Sequence, residues 1–339
     1  MIDPRSTYKP LAKALPIREH QWPEGTQALV HVRTMVYNHE KYLRTCLDSI
    51  LMQETTFPVR LIIHDDASTD QSVAILKEYE QRHPNIIQVY YQAQNTFRIP
   101  DKQAFRLKRK PFNDLRTAPY EAMCEGDDFW IDPMKLQLQA NFLESHPEYA
   151  GAAHATSINN EDGRTAKAED FWEQLHEDTD LSLADIVQRK VPFHTSSFLF
   201  RSSVVPRILS FPIKPKSGDW LTFSMVALEG KIRYIHRNMS VYRTHNSGIT
   251  MKENHWNSLS VALNRYTMWQ LLKTYTYNDE QRMVFEKMLH YQRKYLFEQY
   301  RAKNWQEWLH LVRIILQFDQ WRVFLKFLRH SLRSNKKTD

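Results

Sequence analysis

Glycine and cysteine are scarce in this chain of 339 residues, which has seven glycines and two cysteines. No two glycines lie closer together than twelve residues. This spacing excludes a G-x-G-x-x-G dinucleotide motif, a Walker P-loop and a G-x-S-x-G nucleophile elbow, each of which needs closely spaced glycines. Any phosphate group bound here must therefore be neutralised by other means. Cys46 and Cys124 form no C-x-x-C pair, which excludes a cysteine zinc site and a disulfide scaffold.

Long apolar runs are also absent. No stretch approaches 18 consecutive apolar residues, and the N-terminus has no apolar signal region. We therefore expect neither a transmembrane helix nor a standard secretion signal. The low cysteine content fits a reducing compartment, so we expect a cytoplasmic protein.

The positive charge is concentrated near the C-terminus. The formal net charge is +7, and residues 256–339 hold 15 Lys and Arg against 7 Asp and Glu, so the rest is close to neutral. No proline follows Pro215 and no glycine follows Gly248, which predicts continuous helix in that tract. We predict an extended arm over 1–26, a mixed body over 27–250 and a basic helical extension over 251–339.

The body alternates between strand and helix patterns. Apolar runs predict strands over 28–36, 59–63, 86–91 and 120–124, and helical periodicity predicts helices over 40–52, 69–82 and 133–145. This alternation indicates an α/β fold with a mainly parallel sheet. Ligands of such sheets bind at the carboxyl ends of the strands.

Two acidic pairs follow predicted strands, Asp65 with Asp66 and Asp127 with Asp128. Crowded carboxylates repel one another unless they hold a cation or hydrogen-bond donors. An Asp pair suits Mg²⁺ or Mn²⁺, which keep phosphate oxygens and water as further ligands. Each pair alone also fits a turn or a helix cap. Two pairs at equivalent strand ends favour a binding site.

Seven short motifs occur in a specific order, at residues 36–43, 47–53, 65–70, 125–130, 135–139, 146–149 and 217–220. With these motifs the chain resembles the family 2 glycosyltransferases of the bacterial surface-polysaccharide type. The resemblance implies a GT-A nucleotide-sugar-binding sheet flanked by helices, and inverting, metal-dependent transfer of a hexosyl group. Val36 and His64 depart from the family's frequent Thr or Ser and Gly or Glu, which affects the contacts expected with the nucleotide.

The resemblance implies roles for four donor-binding residues. Tyr37, with Asn38 beside it, would stack near the base of the nucleotide. Asp66 would accept a hydrogen bond from that base. Asp127 would face the ribose or the sugar of the donor.

The resemblance also implies a metal site and a catalytic base. Asp128 would bind Mn²⁺ or Mg²⁺, and His245 would complete the metal shell. Arg243 would contact the donor diphosphate, and Asp219 would be the base. Inverting transfer needs one carboxylate to take the acceptor proton and no protein nucleophile. Asp219 also fits the N-cap of a helix predicted over 221–228.

The C-terminal extension contains two amphipathic segments, over 304–316 and 319–333. In the second, Trp321 and Phe324 share a face, while Arg322 and Lys326 share another. This pattern is typical of a helix on an anionic membrane surface. It equally fits a helix that packs on the body or on a second copy of the chain.

Together these features predict a cytoplasmic inverting glycosyltransferase, with peripheral association at the cytosolic face of the membrane. The expected partners are a nucleoside-diphosphate sugar, with UDP-sugar favoured, and a surface-glycan or lipid-linked oligosaccharide acceptor. A nucleotidyltransferase acting on sugar phosphates and an inactive nucleotide- or glycan-binding module are the alternatives. No nucleic-acid recognition motif is present in the sequence, so no nucleic-acid partner is expected.

Overall fold

A computed structural model describes residues 4–160, 165–166, 175–188, 193–245 and 259–299. The chain forms two compact units. The first comprises Met1–Phe211 and Thr222–Met251, and the second comprises Pro212–Leu221 and Lys252–Asp339.

The described strands all belong to the first unit. They are β1 (Leu15–Pro16), β2 (Val30–Val36), β3 (Glu54–Thr55), β4 (Val59–Asp65), β5 (Ile87–Tyr91), β6 (Tyr120–Met123), β7 (Phe129–Trp130), β8 (Tyr149–Asn160), β9 (Thr165–Ala166), β10 (Thr179–Leu181), β11 (Leu199–Arg201) and β12 (Lys231–Thr244).

The helices follow the strands along the chain. They are α1 (Leu43–Leu51), α2 (Ser72–Arg82), α3 (Lys102–Asn113), α4 (Lys135–Ser145), α5 (Leu183–Val187), α6 (Val205–Ser210), α7 (Gly218–Glu229), α8 (Leu259–Lys273) and α9 (Asp279–Gln299).

The main sheet has the strand order β10-β12-β8-β11-β6-β2-β4-β5, with β7 paired to β12 and β9 paired to β8. Strands β6, β2, β4 and β5 run parallel, and β12 runs parallel to β8. The expectation of a mainly parallel sheet is right for these strands and wrong at β11, which is antiparallel to both β6 and β8. A strand of three residues is too short to show a clear alternation in the sequence.

Two helices differ from the sequence-based expectation. Helix α2 begins at Ser72 rather than at Thr69, because the Asp70 carboxylate accepts the amide hydrogens of Glu40 and Ser72 and holds the preceding residues in a turn. Helix α3 occupies a basic stretch in which no helix was predicted. Asp101 caps α3 by accepting the amide hydrogen of Ala104 over 2.7 Å.

The N-terminal segment packs on the rest of the first unit. Strand β1 pairs with β3, and Ile17 is fully buried in the hydrophobic core. Arg5 forms an ion pair with Glu144 over 2.6 Å. Leu47 and Ile50 in α1 lie in the same core as Leu61 in β4.

The described part of the second unit is helical. Helices α8 and α9 bury Trp269 and Phe285, whose ring centroids are 6.1 Å apart. The amphipathic segments predicted over 304–316 and 319–333 lie outside the described residues. Within the described ranges, every helix is too short or too polar to cross a bilayer.

Lys135, at the start of α4, is a fully buried lysine in the core of the first unit. Its Nζ donates to Gln139 Oε1 over 2.8 Å and lies 4.1 Å from the centroid of the Trp130 ring. Burial lowers the pKa of Lys135 to about 7. The folded state therefore holds this amine without its proton above neutral pH.

This burial predicts how stability changes with pH. Between pH 7 and the ordinary lysine pKa near 10.5, the unfolded chain binds a proton that the folded chain does not. The free energy of unfolding should therefore rise with pH in this window, by up to about 1.4 kcal/mol per pH unit from this group. Lys135→Met should remove the slope, as measured by urea denaturation at pH 7, 8 and 9.

Lys77→Met is the matched control, because Lys77 is exposed on α2. It should leave the pH profile of the wild type unchanged. Parallel profiles for the wild type and Lys135→Met would contradict the assignment of the slope to Lys135.

Candidate functional site

The loops that follow β2, β4 and β6 meet at one edge of the sheet. The Asp66 amide donates to the Val36 carbonyl over 2.9 Å, and the Gly126 amide donates to the Met35 carbonyl over 3.0 Å. Parallel strands place their carboxyl ends at a common edge. The two acidic pairs therefore flank the end of β2.

Gly126 allows the loop after β6 to approach the end of β2 closely. A Cβ at this position would lie 2.7 Å from His39 Nδ1, 3.0 Å from Val36 Cγ2 and 3.2 Å from the Met35 carbonyl oxygen. These separations are at or below the closest normal contacts. Residue 126 must be glycine unless its neighbours move.

Asp128 is buried, with its side chain 1% exposed. Its Oδ1 accepts the Arg243 amide hydrogen over 3.0 Å, whereas its Oδ2 has no hydrogen-bond partner among the described residues. His194 Nδ1 lies 3.5 Å from this second oxygen. Burial, and next the negative charge of Asp127, raise the pKa of Asp128 well above its ordinary value.

Asp127 is held differently. His245 Nε2 lies 3.1 Å from Asp127 Oδ2, and His39 Nε2 lies 3.6 Å from the same oxygen. Burial alone would raise the pKa of Asp127, but the hydrogen bond from His245 and the charge of His39 outweigh it and hold the pKa below its ordinary value. One carboxylate of the pair is thus stabilised as an anion, and the other lacks a compensating partner.

This asymmetry fits a divalent cation. Within the described ranges, no three His, Cys, Asp or Glu side chains are arranged to hold a metal ion by themselves. Mg²⁺ and similar ions, however, are commonly bound through one or two carboxylates together with phosphate oxygens and water. Asp128 Oδ2, which is buried and has no hydrogen-bond partner among the described residues, could supply such a ligand. His245 contacts the neighbouring carboxylate, Asp127.

Arg243, at the end of β12, contacts the loop that carries Asp127 and Asp128. Its amide binds Asp128, and its Nη1 donates to the Asp127 carbonyl over 2.8 Å. The guanidinium lies 4.2 Å from the Phe129 ring centroid and 5.3 Å from that of Tyr42. In this arrangement the Arg243 side chain positions the loop that carries both aspartates.

The second acidic pair contacts the loop after β5. Asp66 Oδ1 accepts hydrogen bonds from the Thr96 amide and hydroxyl over 2.7 and 2.6 Å, and Oδ2 accepts the Phe97 amide hydrogen over 3.1 Å. Asp65 Oδ2 accepts the Ser68 amide hydrogen over 3.2 Å, whereas its buried Oδ1 has no hydrogen-bond partner among the described residues. Burial raises the pKa of Asp65.

Tyr37 and Asn38 lie directly after β2. The Tyr37 side chain is exposed. Asn38 adopts a left-handed backbone conformation with φ of 57°, which asparagine tolerates better than most residues. Its Oδ1 accepts the Thr69 amide hydrogen over 2.8 Å, and its amide donates to Ser68 Oγ over 3.0 Å. Asn38 therefore joins the loops that follow β2 and β4.

Asp219 is the second residue of α7 and is half-buried. The helix begins at Gly218, so Asp219 lies in the first turn and not at the N-cap position that the sequence allowed. Asp219 belongs to the second unit, whereas the two acidic pairs belong to the first.

Sequence reasoning missed two histidines of this site. His39 follows Asn38 inside a motif that was already recognised. His194 contacts the site from just before β11 and stacks on Tyr242, with 3.9 Å between ring centroids. A run of His, Thr and two Ser residues ahead of an apolar strand was the available signal for His194.

Comparisons with known proteins agree with this fold. The chain is similar to Staphylococcus aureus TarS 1–349 in complex with UDP-GlcNAc, with a TM-score of 0.56 and 17% identity over 79% of this chain and 72% of that chain. It is also similar to the mannosyltransferase PcManGT of Pyrobaculum calidifontis in complex with GDP-Man and Mn²⁺. That match has a TM-score of 0.51 and 14% identity over 99% of this chain and 93% of that chain.

The sequence model described as glycosyl transferase family 2 matches residues 32–99. This match lies in the part of the chain that carries the first three motifs. This confirms the family expected from the motifs, and the structural likeness confirms the expected α/β sheet of the GT-A type.

The chain also has curated relatives. It is 35% identical to an uncharacterized protein of Mycobacterium tuberculosis over 220 residues. The match covers 63% of this chain and 58% of that protein. This chain therefore spans less than two thirds of the length of the relatives that it matches.

Proposed function

We propose that this family 2 chain transfers a hexosyl group from a nucleoside-diphosphate sugar to an acceptor hydroxyl, with inversion at the anomeric carbon. The observation that carries the proposal is the Asp127–Asp128 pair at the sheet edge, in which Asp128 presents a buried oxygen that has no hydrogen-bond partner in the described part of the chain. Such an oxygen suits a cation bound to a diphosphate.

UDP-sugar is the favoured donor class. TarS, which shares the fold, binds UDP-GlcNAc. Exposed Tyr37 offers a ring on which a base can stack, and Asp66 offers a carboxylate that can accept a hydrogen bond from the base. Asp127, held as an anion by His245, is suited to accept hydroxyl hydrogens of the ribose or sugar.

Mn²⁺ or Mg²⁺ is the expected cofactor, bound by Asp128 and with His245 in its vicinity. PcManGT, which shares the fold, binds Mn²⁺ together with GDP-Man. A bound divalent ion offsets the negative charge that develops on the departing diphosphate. Arg243 keeps the Asp127–Asp128 loop in place for this contact and adds a positive charge near the diphosphate.

Asp219 is the proposed general base. Its place in the first turn of α7 puts it near the positive end of the helix dipole, which stabilises the carboxylate form that a base requires. The carboxylate takes the proton of the acceptor hydroxyl as that oxygen attacks the anomeric carbon. Trp220, half-buried beside it, can exclude water from the reaction.

The proposed acceptor is a surface glycan or a lipid-linked oligosaccharide at the cytosolic face of the membrane. The basic amphipathic segments after residue 300 supply the membrane contact, since aromatic and basic faces oppose one another in the sequence.

Asp128→Asn should lower turnover by at least about 10²-fold, because the diphosphate loses the cation that offsets its charge. Asparagine retains an oxygen for the Arg243 amide, so the fold should persist. A chelator should abolish wild-type turnover, and Mn²⁺ or Mg²⁺ should restore it. Diphosphate release from a panel of nucleotide sugars measures each effect.

Asp132→Asn is the matched control, because Asp132 follows the same loop but pairs with Arg237. It should retain the metal dependence of the wild type. Full activity of the wild type in the chelator would remove the metal from the mechanism.

Asp219→Asn should reduce kcat by about 10² to 10⁴, the usual contribution of a general base. Donor affinity should stay near that of the wild type, because the base contacts only the acceptor. Calorimetry with the donor and steady-state kinetics measure these two quantities. Asp185→Asn, which changes a carboxylate in the first turn of α5, should leave kcat unchanged. Normal turnover by Asp219→Asn would leave Asp219 a purely structural role.

The intact protein should sediment with anionic vesicles and much less with neutral ones. Each Lys or Arg near an anionic bilayer contributes about 1 kcal/mol, and salt weakens this attraction. Truncation before Asp319 should release the protein while it retains transfer to a small water-soluble acceptor. If the truncated protein instead changes its oligomeric mass or loses thermal stability, the segment packs on the body or on a second copy of the chain. Failure of the full chain to bind anionic vesicles at low salt would indicate the same.

A further inference from the structure

Helix α3 and the loop before it carry a concentration of positive charge. Residues 98–110 contain six Lys and Arg and one Asp, a net charge of +5, whereas residues 1–255 as a whole have a net charge of −1. The one acid, Asp101, is engaged as the helix cap, because its carboxylate accepts the Ala104 amide hydrogen over 2.7 Å. This segment is therefore strongly basic within a region that is close to neutral.

Several of these cations are not paired with an acid. Among the described residues, no ion pair involves Arg98, Lys102 or Lys108, whereas Lys110 pairs with Asp114 over 2.6 Å. Burial, and next the positive charge of Arg106, lower the pKa of Lys102. Like charges thus adjoin here without an acid to offset them.

Other exposed arginines of the first unit do have such partners. Arg44 pairs with Glu78 over 2.6 Å, and Arg5 pairs with Glu144 over 2.6 Å. The unpaired charge of the α3 segment is therefore a local feature and is suited to an external anion.

The inner face of α3 fixes the helix on the sheet. Phe112 is fully buried, and its ring centroid lies 5.0 Å from that of His64 in β4. Arg109 Nη2 donates to Met35 Sδ near the end of β2 over 3.3 Å. The opposite face of the helix is consequently held toward solvent, beside the end of β2.

This outer face also presents apolar side chains. Leu107 on α3 is 64% exposed and Phe97 in the preceding loop is 54% exposed, the two largest values for large apolar residues described in the first unit. Each is followed directly by an exposed cation, Lys108 and Arg98 respectively. Apolar side chains flanked by Lys or Arg are typical of segments that lie in the interface of an anionic bilayer.

The same segment adjoins the candidate site. The Phe97 amide donates to Asp66 Oδ2 over 3.1 Å, so the loop that carries Phe97 and Arg98 is bound to the sheet edge with the two acidic pairs. A surface that contacts this segment would thus lie next to that edge.

We propose that an anionic lipid surface docks on the α3 surface, which comprises Phe97, Arg98, Gln103, Leu107, Lys108 and Lys110. The cations attract acidic headgroups, and the two apolar side chains enter the boundary with the acyl chains. A water-soluble polyanion would use the cations but not the apolar side chains, which favours the lipid surface.

This inference rests on the proposed function, because it brings the sheet edge against the bilayer that would hold a lipid-linked acceptor. Stable attachment to a membrane generally takes two signals. The α3 surface would be the second signal, beside the basic segments after residue 300, and would set the orientation of the first unit on the membrane.

A dye attached to α3 of the full-length protein tests the contact directly. Cys46 and Cys124 are fully buried, so an environment-sensitive thiol dye should label the new cysteine of Leu107→Cys. Its emission should shift to the blue with phosphatidylglycerol vesicles and much less with phosphatidylcholine vesicles. Gln103→Cys, one turn earlier on the exposed face, should respond in the same way, whereas Leu15→Cys on β1 should show no shift.

Removal of two exposed cations tests the charge. Arg98→Gln with Lys108→Gln should weaken binding of the full chain to phosphatidylglycerol vesicles by about 10-fold or more, as measured by sedimentation at low salt. Lys9→Gln with Lys77→Gln removes the same charge from exposed positions outside the α3 surface and should leave the affinity unchanged. Both double variants should retain diphosphate release with a water-soluble acceptor.

The outcomes separate this inference from the proposed function. If the protein sediments with anionic vesicles but neither α3 dye shifts, or if the two double variants bind equally well, the α3 surface is refuted and the contact after residue 300 stands. A dye shift without vesicles, with a doubled mass in light scattering, would show that a second copy of the chain covers α3 and would also overturn the proposal. Absence of diphosphate release from nucleotide sugars would instead refute the transferase function and leave the lipid contact in place.

Discussion

The hydrogen bond from the Arg243 amide to Asp128 Oδ1 is the contact on which the rest of the site depends. It joins the end of β12 to the loop after β6 across 115 residues of sequence. Strand β12 reaches this position because it runs parallel to β8, with Arg243 opposite Asn159. The orientation of the Asp128 carboxylate is therefore determined by the pairing of two long strands.

The two adjacent carboxylates of the site differ in the groups that contact them. Asp127 contacts His245 and His39. Asp128 accepts one backbone amide hydrogen, and its second oxygen has no hydrogen-bond partner within the described ranges. A buried charge without full compensation destabilises a fold. A cation that neutralises it binds the folded state preferentially and stabilises it by mass action. In the proposed function, cation binding at Asp128 would therefore come at the expense of stability in the ligand-free protein.

Prediction from the sequence was most accurate for features that depend on residues close together in the chain. Strand alternation and turn residues placed the ends of β2, β4 and β6, and hence the common edge that carries both acidic pairs. The position of His194 beside Asp128 was not predictable, because Asp128 is 66 positions away in sequence and the orientation of the His194 ring depends on stacking with Tyr242. Helix α3 was missed since Pro111 and a dense basic run obscure its helical periodicity.

Gly126 has a consequence for how the acidic motif can vary. The residue between Glu125 and Asp127 faces His39, Val36 and the Met35 carbonyl, with no room for a Cβ at normal contact distances. Its identity is therefore dictated by steric contact with two side chains and one carbonyl oxygen, and not by ligand chemistry. Position 126 and position 39 therefore cannot vary independently: a side chain at 126 requires the His39 ring, and to a lesser extent Val36 and the end of β2, to move.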